Sequence, residues 1–254
     1  MINRCLTFFG LLTLFLGSSA REVDLGTTLL AVNYKDGVVV GADTRTSVGS
    51  YVSNRFAFKI APILNRAVIC RSGSAADTQN LVEEVRWTVQ SRYYRYDTQI
   101  SDVPTTTLSQ IAHLLRNLIR ESSSEVKASL ICAGYEDGKG KIYSIAPSGL
   151  LLEEKRGYAL SGSGSTFITG LVDQTYRPDM TQEEATNFVV QAIRRAIERD
   201  GSSGGFVRLY VLNREGSREL TVYPDRAVKL NKDGAITNRA GVSLHGFASP
   251  AFNK

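Results

Sequence analysis

Histidine and cysteine are scarce in this sequence, and their scarcity removes several chemistries at the outset. The 254 residues hold two histidines and three cysteines. Cys5, Cys70 and Cys132 are odd in number and lack metal-ligand spacing, which excludes a disulfide framework and a zinc site and points to a reducing compartment. His113, in "SQIAHLLRNLI", falls on or beside an apolar helix face, where a histidine with structural hydrogen bonds is expected; His245 lies near the C-terminal end. Neither neighbours a nucleophile motif, so a Ser-His-Asp enzyme is excluded. The glycine-rich "SGSGS" at 161–165 has no lysine after it and is not a P-loop. It reads as a turn before a helix, with N–H groups that an anion could meet. There is no internal repeat and no long linker.

The bulk composition is that of a soluble globular chain with one sizeable core: 43% hydrophobic and 22% charged residues. The net charge of +5 is unevenly placed. Beyond position 224 stand Arg226, Lys229, Lys232, Arg239 and Lys254 against Asp225 and Asp233, so three of the five net charges belong to the tail. The rest is near neutral, and no nucleic-acid partner is implied.

The N-terminus points elsewhere. "MINRCLTFFGLLTLFLGSSA" has Arg4, an apolar run from Cys5 to Leu16 and small residues ending at Ala20, the form of a secretory signal peptide. The run is too short for a membrane span. Two readings stay open on these residues alone: secretion, or a pro-segment removed by other means.

Element signals alternate in blocks. Residues 27–34 and 38–45 read as a hairpin around Lys35-Asp36-Gly37, and 56–64 and 66–72 as two more strands. A helix is expected over 74–94, with Leu81, Val82, Val85 and Val89 at helical spacing, and another over 101–121, with Leu108, Ile111, Leu114, Leu115 and Leu118 on one side. Strands follow at 128–135, 141–146 and 157–160, helices at 165–175 and 181–199, and a last hairpin at 206–213 and 218–223. Hairpins plus helix pairs imply an α+β protein with two packed antiparallel sheets and helices outside. From about Ala227 the sequence has little periodicity and reads as an extended arm or disordered end.

The step Gly26-Thr27-Thr28 opens the first strand. If the chain is cut after Gly26, Thr27 carries a free α-amine with an ordinary pKa near 8. That amine can take the proton of its own hydroxyl, so nucleophile and base come from one residue and no histidine is needed. Gly26 adds little bulk at the cut bond. Lys59, in "FAFKIAP", can reach Thr27 across the sheet and lower the pKa of the amine, and Asp43, on the second strand, can hold that lysine charged. A backbone N–H at Gly73, in "CRSGSAAD", where a strand gives way to a helix, can serve as an oxyanion donor. Taken singly, Thr27 and Thr28 are β-formers, Lys59 a solvated lysine, Asp43 a cap and Gly73 punctuation. Their joint order carries the sharper reading.

Five blocks then match a known family in order: "GTTLLAVNYKDGVVVGADTRTS", "FKI", "CRSGSAADTQ", "SGSGSTFITG" and "RDGSSGGFVRLYVL". From Gly26 to about Pro224 the sequence resembles the beta subunits of the proteasome, most closely the catalytic caspase-like, beta-1 type. The resemblance implies an N-terminal-nucleophile hydrolase, a four-layer αββα sandwich. It implies residues 1–26 as a propeptide, 27–226 as the hydrolase domain and 227–254 as a C-terminal extension. It casts Thr27 as a nucleophile freed by autocatalytic cleavage after Gly26, Asp43 and Lys59 as its catalytic partners, and Gly73 as the oxyanion donor. Ser163, Asp200 and Ser203 become the outer support of the Thr27 amine. Arg71 falls at the base of the first specificity pocket, with Thr46 and Ala75 lining it, so cleavage after Glu or Asp is expected. The implied protein is a threonine endopeptidase acting on unfolded, ubiquitin-targeted proteins. It sits in a ring of beta subunits stacked on alpha-type rings, in cytoplasm and nucleus, with no metal or other cofactor, no nucleic acid and no membrane. The apolar leader and the long tail depart from the family pattern. A non-catalytic ring subunit, and a secreted binding domain of the same fold, are the competing readings.

Overall fold

The computed structural model describes residues 26–49, 51–95, 106–122, 126–223, 229–230 and 236–237. Residues 1–25 of the expected propeptide, among them Cys5, lie outside the described residues, as do His245 and most of the C-terminal extension.

The first sheet is built on a hairpin, β1 (Leu29–Tyr34) and β2 (Gly37–Asp43). A small ladder follows, β3 (Thr46–Val48) with β4 (Tyr51–Asn54). The second sheet begins with β5 (Ile60–Leu64) and β6 (Ala67–Gly73). Helices α1 (Ala75–Arg95) and α2 (Leu108–Glu121) come next, then β7 (Ala128–Glu136), β8 (Lys139–Ile145) and β9 (Leu151–Glu153). The chain returns to the first sheet with β10 (Tyr158–Ser161) and passes through a 3-10 turn at Ser163–Phe167. Helices α3 (Thr169–Thr175) and α4 (Gln182–Arg199) and the hairpin β11 (Val207–Asn213) and β12 (Gly216–Val222) follow. In the extension, β13 (Lys229–Leu230) pairs with β14 (Ile236–Thr237).

Both large sheets are antiparallel, in the orders β10-β1-β2-β11-β12 and β5-β6-β7-β8-β9. Side chains alternate between faces along a strand, and here both faces of each sheet are covered. Leu29, Ala31, Val38 and Val40 meet Ile60, Val68, Cys70 and Ile131 between the sheets. Leu30, Val32 and Val39 face Val189, Val190 and Ile193 of α4. Ile69, Leu130 and Cys132 face Leu81, Val85, Ile111 and Leu115 of α1 and α2. That double burial explains the nearly unbroken apolar runs of β1 and β2, and the layers are the expected α, β, β, α. Cys70 and Cys132 are buried free thiols on opposite faces of their sheet, and burial pushes both above the usual thiol range. Among the described residues no helix is long and apolar enough to cross a membrane.

The structure differs from the sequence reading in places. The helix expected from residue 101 starts at Leu108, where Thr107 and Gln110 form a reciprocal capping box; residues 101–105 lie outside the described residues. The ladder β3–β4 and the short β9 went unread, because three or four residues give too little periodicity. Residues 56–59, expected in a strand, form a loop ahead of β5. His113 is solvent-exposed, with Nδ1 2.8 Å from the Ser109 carbonyl of its own helix.

The packing of α4 on β2 depends on a glycine. A Cβ at Gly41 would lie 2.4 Å from Val189 Cγ1 and 2.6 Å from Ile193 Cδ1, so glycine lets α4 lie flush on β2. The C-cap of that helix is Asp200. Gly41→Ala is expected to lower the unfolding free energy by roughly 1–3 kcal/mol by overpacking. Urea titration of Gly41→Ala, Val189→Ala and the double variant should show a double loss smaller than the two single losses together.

Candidate active site

Four strand ends meet at one edge of the first sheet. The start of β1 pairs with the end of β2 and the end of β10 (Leu29 opposite Ala42 and Ser161), and the start of β11 pairs with Asp43. Thr27 and Thr28 precede β1, Asp43 ends β2, Ser163 opens the turn after β10, and Ser203 precedes β11. The C-terminus of α4 delivers Asp200 to the same edge. Residues far apart in sequence are thus brought together by strand register.

Lys59 enters from the other sheet. Its Nζ donates to Asp43 Oδ1 at 2.7 Å and to the Gly26 carbonyl at 3.0 Å, and the lysine is only 8% exposed. Burial pushes its pKa below the usual lysine value; the Asp43 charge and hydrogen bond and the Asp200 charge push it back up, while Arg45 lowers it. Asp43 is fully buried and accepts further donors: Thr28 N–H at 2.9 Å, Gly204 N–H at 3.0 Å and Arg45 N–H at 3.2 Å.

The other half of the site surrounds Asp200. Its Oδ2 accepts from Ser163 Oγ at 2.8 Å and Ser203 Oγ at 2.6 Å, and its Oδ1 from Ser202 N–H at 3.0 Å. Ser163 Oγ in turn accepts the Thr27 N–H at 3.2 Å. The Thr27 hydroxyl donates to the Gly26 carbonyl at 2.7 Å. That carbonyl therefore lies between the hydroxyl and the Lys59 ammonium. A Cβ at Gly26 would lie 2.1 Å from Ser202 Cβ, so only glycine fits there. Gly162, at φ +84°, lets the turn approach Thr27, whose carbonyl accepts the Gly164 N–H at 3.1 Å.

Six of the expected residues, Thr27, Asp43, Lys59, Ser163, Asp200 and Ser203, are joined in this way, with Gly26. Gly73 ends β6 at φ +93°, where a Cβ would strike the Lys127 carbonyl at 2.2 Å; among the described residues no hydrogen bond ties it to the network. Arg71 is half-buried, and its Nη2 donates to the Phe58 carbonyl, while its Nε has no hydrogen-bond partner among the described residues. Burial and Arg86 push its pKa below the usual arginine value, Glu83 opposes them, and Glu83 pairs with Arg86 instead. Thr46 opens β3, half-buried, and Ala75 is exposed at the start of α1. Neither joins the network. Sequence reasoning passed over Thr28 and Arg45. Arg45 donates through Nη1 to the Gly201 carbonyl at 3.1 Å and lies against Gly204, bracing the loop that carries Ser203. The only signals were the Thr-Thr doublet and "GADTR". Among the described residues no group of three or more His, Cys, Asp or Glu is placed to hold a metal ion.

Two antiparallel sheets between helix layers, with a threonine at the head of a strand, define the N-terminal-nucleophile hydrolase fold. The family described as "Proteasome subunit" matches residues 23–212, so the chain belongs to that family. The chain is 40% identical to the proteasome subunit beta type-1 of Saccharomyces cerevisiae over 82% of its own length and 94% of that protein. It is 39% identical to the proteasome subunit beta type-6 of Dictyostelium discoideum over 77% of its length and 88% of that protein. With the proteasome subunit beta type-9 of Rattus norvegicus it shares 34% over 82% and 91%.

The buried lysine sets an expectation about charge. Asp43 raises the Lys59 pKa while burial lowers it, so neutralising Asp43 leaves burial unopposed by its largest counterweight. In Asp43→Asn the Lys59 ammonium should lose its proton at lower pH than in the wild type. The 15N shift of Nζ followed against pH reads this, and an unchanged or higher midpoint would contradict it.

Proposed function

We propose that the chain is a threonine endopeptidase subunit of the proteasome core that frees its own nucleophile by cleaving after Gly26. The observation that carries this reading is the Gly26 carbonyl, held between the Thr27 hydroxyl at 2.7 Å and Lys59 Nζ at 3.0 Å. Thr27 Oγ attacks the Gly26 carbonyl carbon, and the ammonium of Lys59 steadies the charge that develops on its oxygen. On collapse the proton given up by Oγ ends on the Thr27 nitrogen, the Gly26–Thr27 C–N bond breaks, and an ester on Oγ with a free amine remains. Water hydrolyses the ester, releasing residues 1–26 with a terminal carboxylate.

The freed amine then serves as base. Ser163 has one proton, and that proton is given to Asp200, so its oxygen faces the Thr27 nitrogen as an acceptor. Holding one amine N–H there aims the lone pair elsewhere, and Lys59 keeps the amine neutral by raising the cost of a second cation. Thr27 Oγ attacks a substrate peptide carbonyl, the amine takes the hydroxyl proton and passes it to the leaving amine, and water releases the ester. Gly73 N–H is assigned to the oxyanion. No metal or other cofactor enters these steps.

For specificity, Arg71 supports cleavage after acidic residues. Its guanidinium has no carboxylate bonded to it among the described residues, and a desolvated arginine gains most from a bidentate carboxylate. Thr46 and Ala75 are assigned to the same pocket. The substrates are unfolded polypeptides, the partners other beta subunits and alpha-type subunits in stacked rings, and the place of work the cytoplasm and nucleus. Residues 1–26 act as the propeptide, 27–226 as the hydrolase and 227–254 as an extension.

Thr27→Ala should abolish peptide cleavage and leave residues 1–26 attached, and Gly26→Ala should slow their removal at least about tenfold, through the clash with Ser202. Intact mass and N-terminal sequencing of chain isolated in its particle read both; a natural start at Arg21 would overturn the proposal. Arg71→Glu should cut kcat/KM for acidic-site peptides by about a hundredfold and raise it for basic ones, with Thr27 still labelled by a small electrophile. Equal loss of all three activities would refute the pocket assignment.

A further inference from the structure

Thr28 is 0% exposed, and its polar groups point to opposite halves of the site. Its N–H donates to Asp43 Oδ1 at 2.9 Å, while its Oγ1 lies 2.8 Å from Ser203 Oγ. The direction of that second bond follows from counting protons. A hydroxyl has one proton to give. Ser203 gives its proton to Asp200 Oδ2 at 2.6 Å, and a carboxylate has none to return. Thr28 must therefore be the donor to Ser203. Ser163 delivers its own proton to the same Oδ2, and accepts from the Thr27 nitrogen. All the protons in this array run toward Asp200, from Thr28 on one side and from Thr27 on the other. The turn after β10 closes over it: a Cβ at Gly164 would lie 1.9 Å from Thr28 Oγ1 and 3.0 Å from Ser203 Oγ.

We infer that Thr28 is a positioning residue of the active site, whose hydroxyl, acting through Ser203 and Asp200, fixes Ser163 and so the orientation of the Thr27 nitrogen. The inference rests on the proposed role of Thr27. It separates cleanly from the ordinary role of threonine in a strand. Valine has the same branched shape and equal or better β-propensity, so a threonine kept for the strand alone tolerates Thr28→Val. A threonine kept for its proton does not. With valine, Ser203 loses the donor that orders it, and Asp200 Oδ2 is left with two less constrained serines.

The test uses particles containing the full chain, with kcat and KM measured on an acidic-site peptide and normalised to the amount of Thr27 N-terminus found by mass spectrometry. Thr28→Val should lower kcat about tenfold with KM within about twofold, and Thr28→Ser should restore it to within about threefold. Thr28→Val combined with Ser203→Ala should be no slower than Ser203→Ala alone, because both cut one relay. Wild-type kcat in Thr28→Val, failure of serine to rescue, or independent multiplication of the two losses would overturn the inference. If Thr28→Val chains do not assemble, Ser203→Ala reads the relay from its other end, and an unchanged kcat there overturns it as well. Thr27→Ala is run alongside. Activity in that variant sinks the catalytic reading itself, whereas an inactive Thr27→Ala beside a fully active Thr28→Val sinks only the role of Thr28.

Discussion

The buried ion pair of Asp43 and Lys59 is the constraint to which the rest of the site is fitted. Withdrawing a carboxylate and an ammonium from water costs several kcal/mol for each, and mutual attraction alone does not repay that. The fold meets the cost with hydrogen bonds. Asp43, besides the lysine at 2.7 Å, receives three backbone N–H groups, from Thr28, Arg45 and Gly204. Each comes from a different stretch of chain, so satisfying one charge fixes the entry to β1, the exit from β2 and the loop before β11 at once. Lys59 then has its remaining reach defined, and it ends on the Gly26 carbonyl.

Such a charge also explains why the site sits where the two sheets meet. Lys59 is the last residue before β5 of the second sheet, while Asp43 closes β2 of the first. The apolar layer between the sheets holds Leu29 and Ala42 on one side and Cys70 and Ile60, the residue after Lys59, on the other, and the lysine itself is buried. Dry surroundings strengthen the ion pair and lower the lysine pKa at the same time. The two tendencies oppose each other, and the balance lies with Asp43, Asp200 and Arg45. The charges of Asp43 and Asp200 favour the ammonium of Lys59, and the charge of Arg45 disfavours it.

Much of the layer arrangement was legible because each sheet is covered twice. Continuous apolar runs bounded by turns marked β1, β2, β6 and β7, and the spacing of Leu81, Val82, Val85 and Val89 marked α1, all of them buried. The short pieces β3, β4 and β9 were not legible, since they carry too few residues for a period to show and owe their form to neighbours. At the site, residue types and order indicated Thr27, Asp43, Lys59 and Gly73, while Ser163, Asp200 and Ser203 followed only from the family resemblance. Thr28 and Arg45 stayed hidden for a physical reason. A threonine just ahead of a strand and an arginine near a strand end look the same in sequence whether or not their donors are used, and donor use is decided by register across β1, β2, β10 and β11. Arg71, by contrast, was singled out for its charge, and the structure adds that its charge has no bonded carboxylate among the described residues.

On the proposed reading, the uncut chain is masked by the same contacts that make it active. While Gly26 is attached, the Thr27 nitrogen is an amide with no basic lone pair, so the hydroxyl has no base of its own. The Gly26 carbonyl meanwhile occupies the Lys59 ammonium and the Thr27 hydroxyl, which a substrate carbonyl would otherwise need. The chain's own bond is thus the first substrate, presented at an effective concentration that no separate peptide matches. Its hydrolysis converts the amide into an amine already seated against Ser163, so no further rearrangement of the network around Asp200 is required. Masking and activation then differ by one covalent bond, and a site assembled by strand register before cleavage needs no new fold after it.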